Sequence, residues 1–238
     1  MNKSKIFDCI TFFDENFLTN LRFEILDEVV DNFIVCESKF DHKGNPKPIN
    51  FFLTNHKFKN KVRHLIIEEQ FPDLSNGWLA ESYQREKIFD ALKDATMEDY
   101  ILFSDSDEIP NPKKLKNLSF KKKFAIFLQR FFVYKMNIYN KHEPFWKFKT
   151  EKSIEIIEEG GWHFNNLYNF ETISKKIKTF PHKEYDIEKF TNIENIKKRI
   201  NNMEDIFDRE YKFEKISIDQ TYPEYVKKNI ELFRDYLI

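Results

Sequence analysis

Apolar positions along this chain fall into short continuous runs that alternate with helix-spaced stripes, and the alternation predicts strands and helices in turn. The run Ile6-Phe7-Asp8-Cys9-Ile10-Thr11-Phe12-Phe13 is apolar, aromatic and β-branched except at Asp8. It predicts a first strand over 5–13, ended by the polar turn Asp14-Glu15-Asn16. Leu18, Leu21, Ile25, Leu26 and Val29 recur at helical spacing, so a helix over 17–28 is expected to pack back on that strand. Phe33-Ile34-Val35-Cys36, closed by Glu37-Ser38, predicts the second strand. Strand, helix, strand is a βαβ unit, and its crossover favours a parallel sheet.

After a turn cluster at His42-Lys43-Gly44-Asn45-Pro46, the pattern predicts a short helix over 50–60 and a third strand over 62–67. Residues 79–96 carry Ala80, Gln84, Ile88, Ala91 and Ala95 on one stripe, which predicts a crossover helix. A glutamine and an arginine, Gln84 and Arg85, near its buried side suggest that its early turns face a polar ligand. Tyr100-Ile101-Leu102-Phe103 predicts a buried strand that delivers Ser104-Asp105-Ser106-Asp107-Glu108 onto a turn. Ile109-Pro110-Asn111-Pro112 is expected to continue neither a strand nor a helix. A further buried strand is predicted over 124–134, and a strand or loop over 145–148. Ile154 to Glu159 lead into Gly160-Gly161-Trp162-His163-Phe164. Half of the 4 glycines stand in that pair, so the backbone there needs a conformation or a close approach that a side chain forbids. Ile196, Ile200, Met203 and Phe207 mark an amphipathic helix, and Pro223 can start a last one whose face carries Val226, Ile230, Phe233 and Leu237.

At 238 residues the chain is long enough for one large α/β domain, and 27 Phe against 4 Gly imply a phenylalanine-rich core. Lys and Arg number 39 against 40 Asp and Glu, a formal net charge of -1 that does not indicate nucleic-acid affinity. Cys9 and Cys36 each lie in an apolar run and read as core thiols. No apolar leader opens the chain and no segment is apolar for long enough to span a membrane, so the expectation is a cytoplasmic chain, with peripheral membrane contact left open.

The chemistry gathers at Asp105 and Asp107. Ligands collect at strand ends in open α/β sheets. Two carboxylates one residue apart repel unless something positive lies between them, and a hard divalent cation carrying phosphate oxygens on its other face answers that need. The alternative is a polar turn in which Asp and Ser side chains bond local amides. Trp162 and His163 can form a sugar-stacking floor with a polar contact, with core packing of Trp162 the alternative. His182, in Phe180-Pro181-His182-Lys183-Glu184, reads on spacing alone as a surface histidine.

The order of these motifs resembles glycosyltransferase family 17. The resemblance rests on Phe7-Asp8-Cys9 with Phe12-Phe13-Asp14-Glu15, on Leu21-Arg22-Phe23-Glu24-Ile25-Leu26, and on Val29 through Ser38. Gly44-Asn45-Pro46-Lys47-Pro48, Gln84-Arg85, Ser104 through Pro110, Gly161-Trp162-His163-Phe164 and His182-Lys183-Glu184 follow in the family's order. It implies a GT-A-like α/β fold, a mixed and mainly parallel sheet flanked by helices, with C-terminal helices. On that basis 1–238 is expected to be a single domain: 1–110 a nucleotide-sugar-binding half ending in Asp-x-Asp, 111–190 an acceptor half, and 191–238 a helical segment.

The resemblance further implies an inverting transfer, of GlcNAc from UDP-GlcNAc or of a related sugar, to a glycan or glycolipid acceptor. Asp105 and Asp107 would hold Mn²⁺ or Mg²⁺ on the donor diphosphate, and His182 would complete the shell. Glu37 would lie near the uridine, Arg85 near the phosphates or donor sugar, and Trp162 and His163 along the cleft. Inversion needs a general base, for which Glu159 and Glu184 are the candidates. The chain departs from the family at Asp14, where an asparagine is usual, and at Phe40-Asp41-His42-Lys43, which bears on the acceptor and the base. Without the membrane anchor and stem of the animal members, the expectation is a microbial or viral enzyme decorating a lipopolysaccharide, capsule or other glycan. A nucleotidyltransferase or phosphodiesterase using the same carboxylates, or a glycan-binding module without activity, are the other readings of these residues.

Overall fold

The structure, a computed structural model, describes residues 4–116, 118–141, 153–179 and 182–238. The chain divides into two compact units, Met1–Ser106 with Lys176–Glu184, and Asp107–Lys175 with Tyr185–Ile238. The division falls inside the acidic turn, between Ser106 and Asp107.

The first unit contains β1 (Ile6–Phe12), α1 (Asn16–Leu26), β2 (Asn32–Ser38), β3 (Val62–Ile67), α2 (Gly77–Lys87) and β4 (Tyr100–Asp105). Its strands form a wholly parallel sheet in the order β3-β2-β1-β4, as the βαβ pattern requires. The register sets Asp8 beside Leu102, Ile10 beside Ser104 and Thr11 beside Asp105, with Phe12 beside Glu37 on the other flank of β1. Strand residues alternate between the two faces. Phe7 and Cys9 therefore join Ile34, Cys36, Ile67, Ile88 and Leu92 in the core on the α2 side. Asp8 turns to the α1 side, where Phe23 packs on Phe33 with ring centroids 4.5 Å apart and on Phe58 at 5.7 Å. Helices flank this parallel sheet, consistent with a GT-A-like fold.

Two expectations for this unit are corrected. Residues 50–60 contain a single 3₁₀ turn, His56–Phe58, in place of a helix. The stretch before it is irregular, and α1 side chains satisfy its backbone: Asn16 donates to the Asn50 carbonyl and accepts from the Phe52 amide, and Asn20 accepts from the Thr54 amide. The helix expected over 79–96 is α-helical only to Lys87, then a 3₁₀ turn at Ile88–Ala91. Arg63 of β3 takes the Ala91 carbonyl and the Asp94 carboxylate, so the final carbonyl is used up by a side chain.

The second unit contains β5 (Glu108–Pro110), α3 (Pro112–Leu115), β6 (Phe124–Val133), β7 (Ile138–Asn140) and β8 (Ile154–Asn165). After α4 (Phe170–Thr179) come α5 (Glu188–Thr191), α6 (Ile193–Asn201), β9 (Phe213–Lys215) and α7 (Glu224–Lys228). The sheet runs β5-β8-β6-β7-β9, with only β6 and β8 parallel. Residues 109–112, expected to continue nothing, supply both the end of β5 and the start of α3. Pro110 closes an edge strand, where its missing N–H is tolerated. The Asn111 side chain accepts the Lys113 amide to cap a helix that begins on Pro112. The amphipathic helix expected through Phe207 stops at Asn201, and Met203, at φ +55°, reverses the chain and stands partly exposed. The last predicted helix is α7 followed by a 3₁₀ turn at Ile230–Tyr236, with Val226 and Phe233 buried as its stripe requires. Asn137 ties down the C-terminus by donating to the Ile238 carbonyl and accepting its amide. The stretch 145–148 lies outside the described residues.

Candidate active site

In a parallel sheet of order β3-β2-β1-β4 the chain lays strands on one side of β1 and then crosses to the other. The crevice beyond the carboxyl ends of β1 and β4 is therefore the topological switch point, where open α/β sheets bind ligands. Asp105 is the last residue of β4 and stands there with its carboxylate 49% exposed. Its Oδ1 accepts from Arg85 Nη2 of α2 at 2.6 Å and lies 3.5 Å from the Thr11 hydroxyl of β1. Arg85 is anchored in turn by Glu81 one helical turn earlier, at 2.9 Å from Nε.

A second arginine reaches the same residue from the other face. Arg22 of α1 is fully buried, and it grips Asp8 of β1 with both ends of its fork, Nε to Oδ2 at 2.7 Å and Nη2 to Oδ1 at 2.6 Å. The same guanidinium donates to the Ser104 hydroxyl at 2.8 Å and to the Asp105 carbonyl oxygen at 3.0 Å. Asp105 is thus fixed twice, at its carboxylate by Arg85 and at its backbone by Arg22. Asp8 and Arg22 were not among the residues expected at the site. The signal was there in the one carboxylate of an otherwise apolar strand and in an arginine among the buried positions of a helix, since such charges are buried only when paired.

Glu37, at the end of β2, is wholly buried. Its oxygens accept from Lys47 Nζ at 2.6 Å, from the Asn50 amide at 2.7 Å and from the Phe51 amide at 3.1 Å, and one lies 3.1 Å from His64 Nε2. Burial pushes this carboxyl up, but the bonds from His64, Lys47 and the Asn50 amide outweigh it and hold Glu37 below the usual carboxylate range. Gln84 donates to the Cys36 carbonyl at 2.8 Å and to the Phe12 carbonyl at 3.3 Å, and its Oε1 lies 2.9 Å from His42 Nε2. Both polar groups close the strand ends of β1 and β2 and orient the loops that follow them.

Also in the first unit, His182 sets its ring edge-on against Trp78, with centroids 4.7 Å apart, and its Nδ1 is 2.7 Å from Glu184 Oε1. The local backbone amide and His182 hold the Glu184 carboxyl below its usual range, which weakens it as a base.

In the second unit, Asp107 and His163 come together. The Asp107 carbonyl accepts the Phe164 amide at 2.9 Å, and its Oδ2 lies 3.6 Å from His163 Nε2. The His163 ring stacks on Phe131 at 4.9 Å. Neighbouring Trp162 is 5% exposed and donates its indole N–H to the Thr221 carbonyl at 2.9 Å, so its ring is packed. Glu159 stands on an irregularity of β8 at φ +52°, its exposed carboxylate 3.4 Å from Lys114 Nζ. The glycine pair behaves as expected. A Cβ on Gly160 would come within 2.7 Å of the Phe127 Cα, and one on Gly161, at φ +148°, would overlap the Ile109 carbonyl and approach the Pro110 Cα to 2.8 Å.

Among the described residues no three His, Cys, Asp or Glu side chains are gathered into a group able to hold a metal ion. Mg²⁺ and chemically similar ions do not require such a cage, because one or two carboxylates hold them and substrate phosphates and water supply the rest. A half-exposed carboxylate at a strand end fits that demand. Nor is any helix among the described residues long and apolar enough to cross a membrane.

No solved structure matches this chain. Over 117 residues, 44% of this chain and 22% of each relative, it is 33% identical to the β-1,4-mannosyl-glycoprotein 4-β-N-acetylglucosaminyltransferases of Rattus norvegicus and Homo sapiens. The mouse protein of the same name is 32% identical over the same length. The aligned stretch thus spans about a fifth of the curated relatives. The model of glycosyltransferase family 17 matches residues 1–234, nearly the whole chain, and the protein belongs to that family.

Proposed function

We propose that this protein is a metal-dependent inverting glycosyltransferase that moves GlcNAc from UDP-GlcNAc to a hydroxyl of a glycan acceptor. The observation that carries the proposal is Asp105, its carboxylate held by Arg85 and its backbone by Arg22 at the switch point of a parallel sheet, in a chain of glycosyltransferase family 17. Asp105 is the carboxylate that would hold Mn²⁺ or Mg²⁺, and Asp107 and His182 are the further candidates that the Asp-x-Asp pattern and the family resemblance supply. When bound, the cation neutralises charge on the departing diphosphate. Arg85 orients the Asp105 carboxylate, and its guanidinium adds positive charge for phosphate oxygens. Glu159, exposed on β8, is the first candidate to take the acceptor proton, and Glu184 the second.

The test is release of UDP from a panel of UDP-sugars, with Mn²⁺ and with chelator, since glycosyltransferases can hydrolyse donor slowly without acceptor. Metal-dependent release from UDP-GlcNAc is expected, with Asp105→Ala and Asp107→Ala each abolishing it while the variants still melt cooperatively. Retained activity in those variants overturns the metal assignment. UMP or pyrophosphate as product would mean phosphoryl chemistry instead. A chain whose melting temperature ignores UDP and Mn²⁺ would be a binding module of another kind.

A further inference from the structure

Arg22 is fully buried, and Asp8 takes two of the five N–H donors of its guanidinium. Its guanidinium does more. Two of its donors hold Asp8, and the fork continues to the Ser104 hydroxyl and the Asp105 carbonyl, 82 and 83 residues further along the chain. Asp8 is the third residue of β1 and Asp105 the last of β4, so the guanidinium is a rigid planar link between the middle of one strand and the functional end of its neighbour. A strand end is ordinarily free to fray, because its final residue has few partners beyond the ladder. Here the Asp105 backbone cannot move without breaking a bond to a buried charge.

We propose that Arg22 is a positioning residue for the donor site, setting the Asp105 carboxylate for its cation through the Asp105 backbone. The proposal rests on the glycosyltransferase reading above and adds to it a residue that touches neither donor nor acceptor. Lysine at this position keeps the charge but supplies a point donor that cannot span Asp8, Ser104 and Asp105 together. Arg22→Lys is therefore the informative variant, since Arg22→Ala leaves Asp8 buried and alone and is expected to unfold the sheet. Ser104→Ala removes one of the outer contacts and leaves the Asp8 pair whole.

The experiment titrates Mn²⁺ into wild type, Arg22→Lys, Ser104→Ala and Arg63→Lys in the presence of UDP. It reads Mn²⁺ affinity by calorimetry and melting temperature by circular dichroism, alongside UDP release. Arg63 pairs with Asp94 away from the site and serves as the control for plain destabilisation. Loss of a partner that orients a ligand costs roughly 10- to 100-fold in metal affinity or activity. Arg22→Lys is expected to weaken Mn²⁺ by that factor, Ser104→Ala by less, and Arg63→Lys not at all even where it melts earlier. Cooperative melting of Arg22→Lys with wild-type Mn²⁺ affinity overturns the positioning role alone. So does an equal loss of affinity in Arg63→Lys. Wild-type protein that binds no Mn²⁺ with UDP overturns the donor-site reading itself, and the positioning role with it. If Arg22→Lys fails to fold, Ser104→Ala decides: unchanged affinity there refutes the proposal.

Discussion

Replacing Gly161 with alanine tests whether β8 lies as close beside its antiparallel neighbour β5 as the structure makes it. The residue sits at φ +148°, a conformation that L side chains rarely adopt and that costs on the order of 1–3 kcal/mol. The new methyl would also overlap the Ile109 carbonyl and lie 2.8 Å from the Pro110 Cα and 3.0 Å from the Asn111 nitrogen. These neighbours are backbone atoms of a paired strand, so relief requires moving β5, and overpacking of that kind adds roughly 1–3 kcal/mol. The sum, about 2–6 kcal/mol, is a large part of the ordinary stability of a domain, about 5–15 kcal/mol. Gly44→Ala supplies the contrast. It too has positive φ, +85°, but its Cβ would meet the flexible ends of Leu74 and Gln70, which can swing aside. Its cost should stay near 1 kcal/mol. Urea denaturation followed by tryptophan fluorescence and far-ultraviolet circular dichroism measures both. A Gly161→Ala loss no larger than that of Gly44→Ala would refute the argument that the backbones of β5 and β8 are in contact there.

Glu37→Gln should cost about 3–5 kcal/mol at pH 7, because Lys47 and His64 lose the charge they are arranged around. The folded-state pKa of Glu37 is depressed, so its contribution is present above the unfolded value, about 4.3, and fades as pH falls through the folded value. The stability gap between wild type and variant should therefore narrow when urea midpoints are compared at pH 7 and pH 3; an unchanged gap would show that the charge is not what stabilises. Asp205→Ala should destabilise by roughly 3 kcal/mol, because the buried carboxylate accepts the Phe207 and Arg209 amides and a forked pair from the Arg209 guanidinium. Hydrogen exchange of the Phe207 and Arg209 amides checks it, and unaltered protection would count against that network.

The parallel half of the fold was legible because its signals are local. β3 matches its predicted bounds although only Ile67 in it is buried, and β1 and β2 fall within one or two residues of theirs, since both are buried β-branched and aromatic runs closed by polar residues. What failed was set by partners distant in sequence. A short helix is expected over 50–60, yet Asn16 and Asn20 of α1 take the Phe52 and Thr54 amides and leave only one 3₁₀ turn. Residues 108–110 form a strand only because β8, some fifty positions later, gives Ile109 and Pro110 neighbours in Trp162 and Gly161. The sequence leaves Trp162 open between a sugar-stacking floor and core packing, and what decides for packing is distant too, the carbonyl of Thr221. The Asp-x-Asp turn could be read, and so could the demand that Gly160 and Gly161 place on the backbone, because spacing and glycine choice carry those directly.

The two arginines at Asp105 show how much of a site can depend on a register that no short motif contains. Successive residues of a strand face opposite ways, so Ser104 and Asp105 present their side chains to different faces of the sheet. Ser104 turns to α1 and meets Arg22; Asp105 turns to α2 and meets Arg85. Asp8 obeys the same alternation on β1, which is why it faces α1 and not the apolar cluster around Phe7 and Cys9. A slip of β4 by one residue against β1 would exchange these assignments, taking the carboxylate away from Arg85 and turning it toward the side where Asp8 already occupies Arg22. β4, expected as a buried strand, leaves Ile101 and Phe103 exposed, so its ladder with β1 holds the register. Tyr100 through Phe103 keep β4 paired with Ile6 through Cys9, and that pairing carries Asp105 to a point opposite Thr11. The strand is thus the device that chooses which arginine the carboxylate receives.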